Sequence, residues 1–181
     1  KHIVVYVVYV TKPYKNIDIA IRAFEQIVKS YPQASFIVIG DGESLDSLQK
    51  LTKELDLEKS VVFTGRVDNA RKARLLAKSW VAVQPSMVEG WGITVIEANA
   101  SGTPVIASDV SGLKDSVVHG QTGTLVAMGD VDEFAKAMID FILDEKYRKT
   151  LSDNAYSWST NFNWDKSSKQ FLFIVEDVLK Y

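Results

Sequence analysis

The stretch WVAVQPSMVEGWGITVIEANASGTPVIA, residues 80–107, decides the fold. Trp80–Gln84 is a short, nearly unbroken apolar run, as expected of a strand buried on both faces. Pro85 ends it, and Ser86–Gly92 is a loop carrying two glycines. From about Ile93 to Ser101 the sequence reads as a helix. Gly102 can adopt the left-handed conformation that stops such a helix. Val105–Ala107 is then a second apolar run. Strand, helix and strand in this order imply a right-handed crossover between parallel strands.

The alternation continues in both directions. Ile3–Val10 is a β-branched run long enough for a strand. Asn16 is a candidate cap for a helix whose apolar face is Ile17, Ala20, Ile21, Phe24, Ile27 and Val28, ended by Tyr31-Pro32. Phe36–Ile39 is a strand ended by Gly40-Asp41-Gly42. Leu45, Leu48, Leu51 and Leu55 stripe a helix, Val61–Thr64 is a strand, and Asn69–Ser79 is a helix. Thr124–Val126 makes a last short strand. Helices follow at Val131–Leu143, Lys146–Ser159 and Trp164–Leu179. The prediction is an α/β fold: a doubly wound, Rossmann-like parallel sheet of about six strands, with helices on both faces and extra C-terminal helices. Residues 1–181 form a single domain. Such sheets bind ligands outside the carboxyl ends of their strands. That singles out the loops Thr11–Asn16, Gly40–Ser44, Gly65–Asn69, Pro85–Gly92 and Ser108–Gly112.

Composition narrows the function. Of the 181 residues, 46% are hydrophobic and 24% charged, which is ordinary for a globular domain. The formal net charge of −2 offers no general attraction for nucleic acid or an acidic membrane. Cysteine is absent, which excludes disulfides, thiolate metal sites and a cysteine nucleophile. No apolar run is long enough to span a bilayer. The chain begins with lysine and reaches its first strand within two residues, so it is expected to lie inside a longer protein.

The richest segment chemically is Glu89-Gly90-Trp91-Gly92-Ile93-Thr94-Val95-Ile96-Glu97. Gly90 and Gly92 carry no Cβ, so the backbone there can approach a ligand closely. The unpaired N–H groups and the dipole of the following helix make an anion site suited to a diphosphate. Glu89, before the helix, can accept hydrogen bonds from sugar hydroxyls. Glu97, about one turn inside, can accept from two vicinal hydroxyls such as those of a ribose, one on each oxygen. The same pattern also suits a ligand-free helix start, where glycine turns and acidic first turns are common.

Ser86, the Glu89–Glu97 segment and Ala98-Asn99-Ala100-Ser101-Gly102-Thr103-Pro104-Val105-Ile106-Ala107-Ser108-Asp109 resemble the donor-site signature of group 1 (family 4) retaining glycosyltransferases of GT-B fold. The likeness continues at Gly112, at Gly120-Gln121-Thr122-Gly123, and upstream at Gly40-Asp41-Gly42 and Phe63-Thr64-Gly65-Arg66-Val67. It covers essentially the whole chain, in the family's order. The resemblance implies the nucleotide-sugar-binding half of a two-domain enzyme, with an N-terminal acceptor domain outside this sequence. It implies that Glu89 binds the donor sugar and that the backbone of Gly90, Trp91, Gly92, Ile93 and Thr94 binds sugar and phosphates. Glu97 would hold the ribose, and Lys15 would neutralise the diphosphate. Val67 and Arg66 would contact the base, and Gly40 and Gly42 would line the cleft. No metal or other cofactor is expected. The donor is a nucleotide sugar, and its supply implies a cytoplasmic location, with membrane attachment through the absent domain left open.

One position departs from the pattern. The family places arginine five residues before the lysine, and this chain has Val10. Lys12 is the candidate substitute in a reduced phosphate clamp, although a lysine lacks the bidentate geometry of guanidinium. This departure keeps a non-catalytic GT-B binding module open as an alternative. A hydrolysing sugar-nucleotide epimerase of similar fold is a second, and a flavodoxin-like binding domain a third. Other signals carry less weight. Asp130-Val131-Asp132 matches a metal-binding carboxylate pair, but Asp130 is placed to cap a helix. His119 reads as a solvated side chain, and Trp158 and Trp164 as packing anchors. Gln170–Leu179 is amphipathic, suited to packing on its own domain or on the absent one.

Overall fold

The computed structural model describes residues 4–8, as backbone, and residues 13–180. Six strands form one fully parallel sheet: β1 (Val4–Val8), β2 (Ser35–Ile39), β3 (Val61–Phe63), β4 (Val81–Gln84), β5 (Val105–Ser108) and β6 (Gly123–Val126). Their order across the sheet is β3-β2-β1-β4-β5-β6. Eight helices accompany them among the described residues. These are α1 (Ile17–Val28), α2 (Leu45–Glu54), α3 (Asn69–Ala77), α4 (Ile93–Ala100), α5 (Ser111–Ser116), α6 (Val131–Leu143), α7 (Glu145–Ser159) and α8 (Trp164–Val178). The predicted doubly wound architecture is therefore the one observed. Of the predicted first strand, Ile3, Tyr9 and Val10 lie outside the described residues.

Strand periodicity divides the interior into two cores. Phe36, Val38, Val81, Val83 and Ile106 point to one face and pack with α1, α2 and α6. Ala82, Val105 and Ala107 alternate with them and pack on the other face with Leu76 of α3, Val95 and Ala98 of α4, and Leu113 of α5. Successive strand side chains face opposite ways, so continuously apolar strands are what a two-sided core requires. Phe24 and Phe36 meet at 5.4 Å between ring centroids at the heart of the first core. Each fully buried side chain of this size contributes roughly 1.5–3 kcal/mol. Arg148 of α7 lies 3.8 Å over the Trp80 ring and donates to the Phe141 carbonyl, tying α6, α7 and the start of β4 together.

The sheet reverses winding direction between β1 and β4. On one side the strands run β1, β2, β3, and on the other β4, β5, β6. The helices that follow these two strands, α1 and α4, pack on opposite faces of the sheet, the arrangement that opens a crevice at the strand ends. That crevice positions the site.

Three local expectations are corrected. Asn16 precedes α1 but makes no side-chain cap; it sits in the left-handed region at φ 50°. A single 3-10 turn, Pro13–Lys15, leads into α1 instead, closed by the Asn16 amide donating to the Pro13 carbonyl at 3.0 Å. Ser108–Gly112 was expected to be loop, and its end belongs to α5. Trp164 was expected to anchor packing, and it is 88% exposed.

Candidate functional site

Lys15 comes from the turn after β1, and Glu89 from the loop after β4. They meet across the crevice, the Lys15 ammonium donating to Glu89 Oε1 at 2.5 Å. Both side chains are largely enclosed, at 15% and 13% exposure. The backbones are joined too, because the Met87 amide donates to the Tyr14 carbonyl at 2.8 Å. Gln84 Nε2 (2.6 Å) and Ser86 Oγ (2.9 Å) also donate to Glu89 Oε1. Gln84 in turn accepts from the Thr94 hydroxyl at 3.3 Å. One carboxylate oxygen is thus saturated by three donors, while Glu89 Oε2 has no hydrogen bond within the described chain. Gln84 ends β4 and Ser86 lies two residues beyond it, and both are buried, so two of the three donors to the carboxylate are fixed in the interior.

The two glycines of the loop play different parts. Gly92 is the residue before α4, at φ 88°, and a Cβ there would come within 2.9 Å of Leu113 Cδ2. Its requirement is therefore internal: left-handed backbone and close packing on α5. At Gly90 a Cβ would meet nothing within 4 Å, so the backbone there faces open space. Behind the loop lies Gly112 of α5, where a Cβ would stand 2.1 Å from the Glu89 carbonyl oxygen. The α5 backbone buttresses the Glu89–Gly90 peptide, a role the sequence signalled only through the family likeness at Gly112.

Glu97 lies on α4 and is paired, which sequence reading missed. Lys72 of α3 donates to Glu97 Oε1 at 2.6 Å. Of the two oxygens expected to be available to vicinal hydroxyls, one is already engaged. Glu97 Oε2 is buried with no hydrogen-bond partner. A signal for Lys72 existed: it lies three and four residues before Leu75 and Leu76, on the same helix face, so a charge was entering the buried side. Trp91 makes an edge contact with Phe162, centroids 4.8 Å apart, and Phe162 another with Trp158 at 5.1 Å. Trp158 Nε1 donates to the Ser116 carbonyl, so Trp158 is the packing anchor expected. Ile93 is exposed at the start of α4, and with Trp91, Glu97 and Trp164 it lines an open groove of about 410 Å³.

The remaining expected residues lie on neighbouring strand ends. Gly40 is bridged to Gly65, its amide donating to the Gly65 carbonyl at 3.0 Å. Gly42 follows in the same turn. Arg66 is exposed, its Nε 3.8 Å from Asp41 Oδ2. Val67 is half-buried against the second core. Lys12 and Val10 lie outside the described residues. Asp130 caps α6 by accepting from the Glu133 amide, and Asp132 accepts from Gln26. No group of three or more His, Asp or Glu residues is arranged to hold a metal ion among the described residues. Likewise, no described helix is long and apolar enough to cross a membrane. His119, though exposed, is not simply solvated: its Nδ1 accepts from the Leu125 amide at 2.9 Å.

The chain is 32% identical over 167 residues to N-acetyl-alpha-D-glucosaminyl L-malate synthase of Bacillus anthracis, covering 92% of this chain and 43% of that protein. It is 29% identical over 168 residues to phosphatidyl-myo-inositol mannosyltransferase of Mycolicibacterium smegmatis, again covering 92% and 43%. This chain thus spans less than half the length of either relative. Among solved structures, Alr3699/HepE of Anabaena in complex with UDP-glucose superposes with a TM-score of 0.89 at 27% identity, over 98% of this chain and 49% of that one. The C-terminal domain of a group 1 glycosyl transferase (LpcC) from Francisella tularensis gives 0.78 at 25% identity, covering 88% and 85%. The family model for glycosyl transferases group 1 matches residues 1–158, and the chain belongs to that family.

Proposed function

We propose that this chain is the donor-binding half of a retaining hexosyltransferase that takes a nucleoside diphosphate sugar. The observation that carries the reading is the pair Glu89 and Glu97, each held through Oε1 by a lysine, flanking the start of α4 at the switch point of the sheet. Glu89 orients the donor sugar through its unengaged oxygen. The amides from Gly90 to Thr94 and the α4 dipole receive the diphosphate. As the glycosidic bond breaks, negative charge grows on that diphosphate, and Lys15, with Lys12 nearby in sequence, stabilises it electrostatically. Glu97 takes the ribose, and Arg66 and Val67 border the base. The chemistry requires no metal, and the acceptor is supplied by an N-terminal domain. The similarity to a UDP-glucose complex supports a nucleotide sugar as ligand.

Titration of the chain with UDP, GDP and ADP, then with their hexose conjugates, tests this. One nucleotide should bind selectively, at roughly 0.1–1 mM for half a cleft, or about −4 to −5.5 kcal/mol. Glu97→Ala should weaken that binding by about tenfold, the worth of one charge-assisted hydrogen bond. Indifference to all three, or binding untouched by Glu97→Ala, defeats the reading. Val10 favours a second reading, a non-catalytic module with a weakened clamp. Val10→Arg should tighten diphosphate binding if the loop is a phosphate clamp, and leave affinity unchanged if it is not.

A further inference from the structure

Lys72 is the one charged side chain buried among the described residues. Burying an ammonium is costly, and an apolar residue of similar volume is often as stable or more so. Core stability alone therefore gives no reason for lysine here. Its Nζ lies 2.6 Å from Glu97 Oε1, with the two side chains 9% and 35% exposed. The other oxygen, Oε2, is buried and lacks any hydrogen-bond partner. A desolvated carboxylate oxygen left unmatched carries a penalty that a hydroxyl donor removes.

The helix bearing Lys72 is fixed at both ends. Asp68 caps α3 by accepting from the Arg71 amide at 2.6 Å. Thr103, in the connection from α4 to β5, donates to the Leu76 carbonyl at 2.7 Å. Lys72 therefore meets Glu97 in a frame that ties α3 to α4, and the ion pair sets the carboxylate's rotation.

We propose that Lys72 is a positioning residue. By holding Oε1 it fixes the rotation of the Glu97 carboxylate that receives the ribose hydroxyls and makes the site discriminate ribonucleotides from deoxyribonucleotides. This rests on the reading of Glu97 as the ribose acceptor. Lys72 need not touch the ligand; its effect passes through the carboxylate.

The test titrates the chain with whichever of UDP, GDP and ADP binds, and with its 2′-deoxy and 3′-deoxy counterparts. Folding of every variant is checked by thermal melting. Wild type should prefer the ribonucleotide by about tenfold or more, the worth of one charge-assisted hydrogen bond. Lys72→Met should cut that preference to about twofold or less, chiefly by weakening the ribonucleotide, since only the charged bond is lost. Lys72→Arg should restore most of it, and combining Lys72→Met with Glu97→Ala should add nothing to Glu97→Ala alone. Should Lys72→Met fail to fold, Lys72→Gln, which retains only a neutral donor, is expected to give an intermediate preference. Equal weakening of ribo and deoxy forms in Lys72→Met or Lys72→Gln overturns the proposal, because that is the mark of a purely structural pair. Loss of preference in Glu97→Ala but not in the Lys72 variants overturns the positioning role alone. No preference in wild type, or full preference in Glu97→Ala, overturns the ribose reading and this proposal with it.

Discussion

A methyl group at Gly112 and one at Gly90 are chemically identical changes with opposite structural meanings. At Gly112 the added carbon would stand 2.1 Å from the Glu89 carbonyl oxygen, so α5 or the loop must move. Gly112→Ala should cost about 1–3 kcal/mol, the usual range for overpacking, and should also weaken nucleotide binding by displacing Glu89. At Gly90 the carbon meets nothing. Gly90→Ala should change stability by less than about 1 kcal/mol, as a surface substitution does, while still weakening nucleotide binding by occupying the space a ligand enters. Urea denaturation and titration, run on both variants, separate the two effects. A large stability loss in Gly90→Ala, or none in Gly112→Ala, contradicts this account of the loop.

Helix ends show what an element draws from single residues. Asp130 Oδ1 accepts from the Glu133 amide, and Glu133 Oε2 accepts from the Ala127 amide, so two carboxylates satisfy the turn before α6. Asp130→Ala should lower stability by about 1 kcal/mol, and the loss should be the same with and without added Mn²⁺. A metal-dependent stability difference in wild type that vanishes in the variant contradicts the capping role. This cap was legible in sequence because Asp precedes an amphipathic run by one position. The cores were legible for the same reason: periodicity alone places Phe24, Phe36, Val83 and Phe134 inside. By contrast α5 was not, since Leu113 is its one large apolar side chain within six residues and leaves no stripe to read. Asn16 was misread because residue preference at a cap cannot report whether the backbone turns into the extended or the left-handed region. At the site, the glutamates and Lys15 were legible from spacing and likeness. Gln84, Ser86 as a carboxylate donor and Lys72 act through contacts 3 to 25 residues apart, which linear spacing does not encode.

At the scale of the whole molecule, the crevice between β1 and β4 presents Lys15, Glu89 and the start of α4 on one open side. On the reading proposed above, the donor enters from that side and the acceptor is brought by another domain. The isolated chain should therefore show binding without transferase turnover; sustained transfer by the purified chain contradicts the two-domain reading. The last helix belongs to the same argument. None of the α8 residues is buried, and Phe171 and Phe173 are 69% and 67% exposed, so its apolar side chains contribute little to this chain's own core. Phe171→Gln and Phe173→Gln should each leave the stability of the chain within about 0.5 kcal/mol of wild type, as for surface positions. Phe134→Ala, which empties a fully buried site in the first core, should cost about 3–5 kcal/mol. Denaturant midpoints for the three variants decide the matter. If the α8 substitutions cost as much as Phe134→Ala, that helix folds back onto its own domain, and the amphipathic pattern of residues 170–179 is explained without any partner surface.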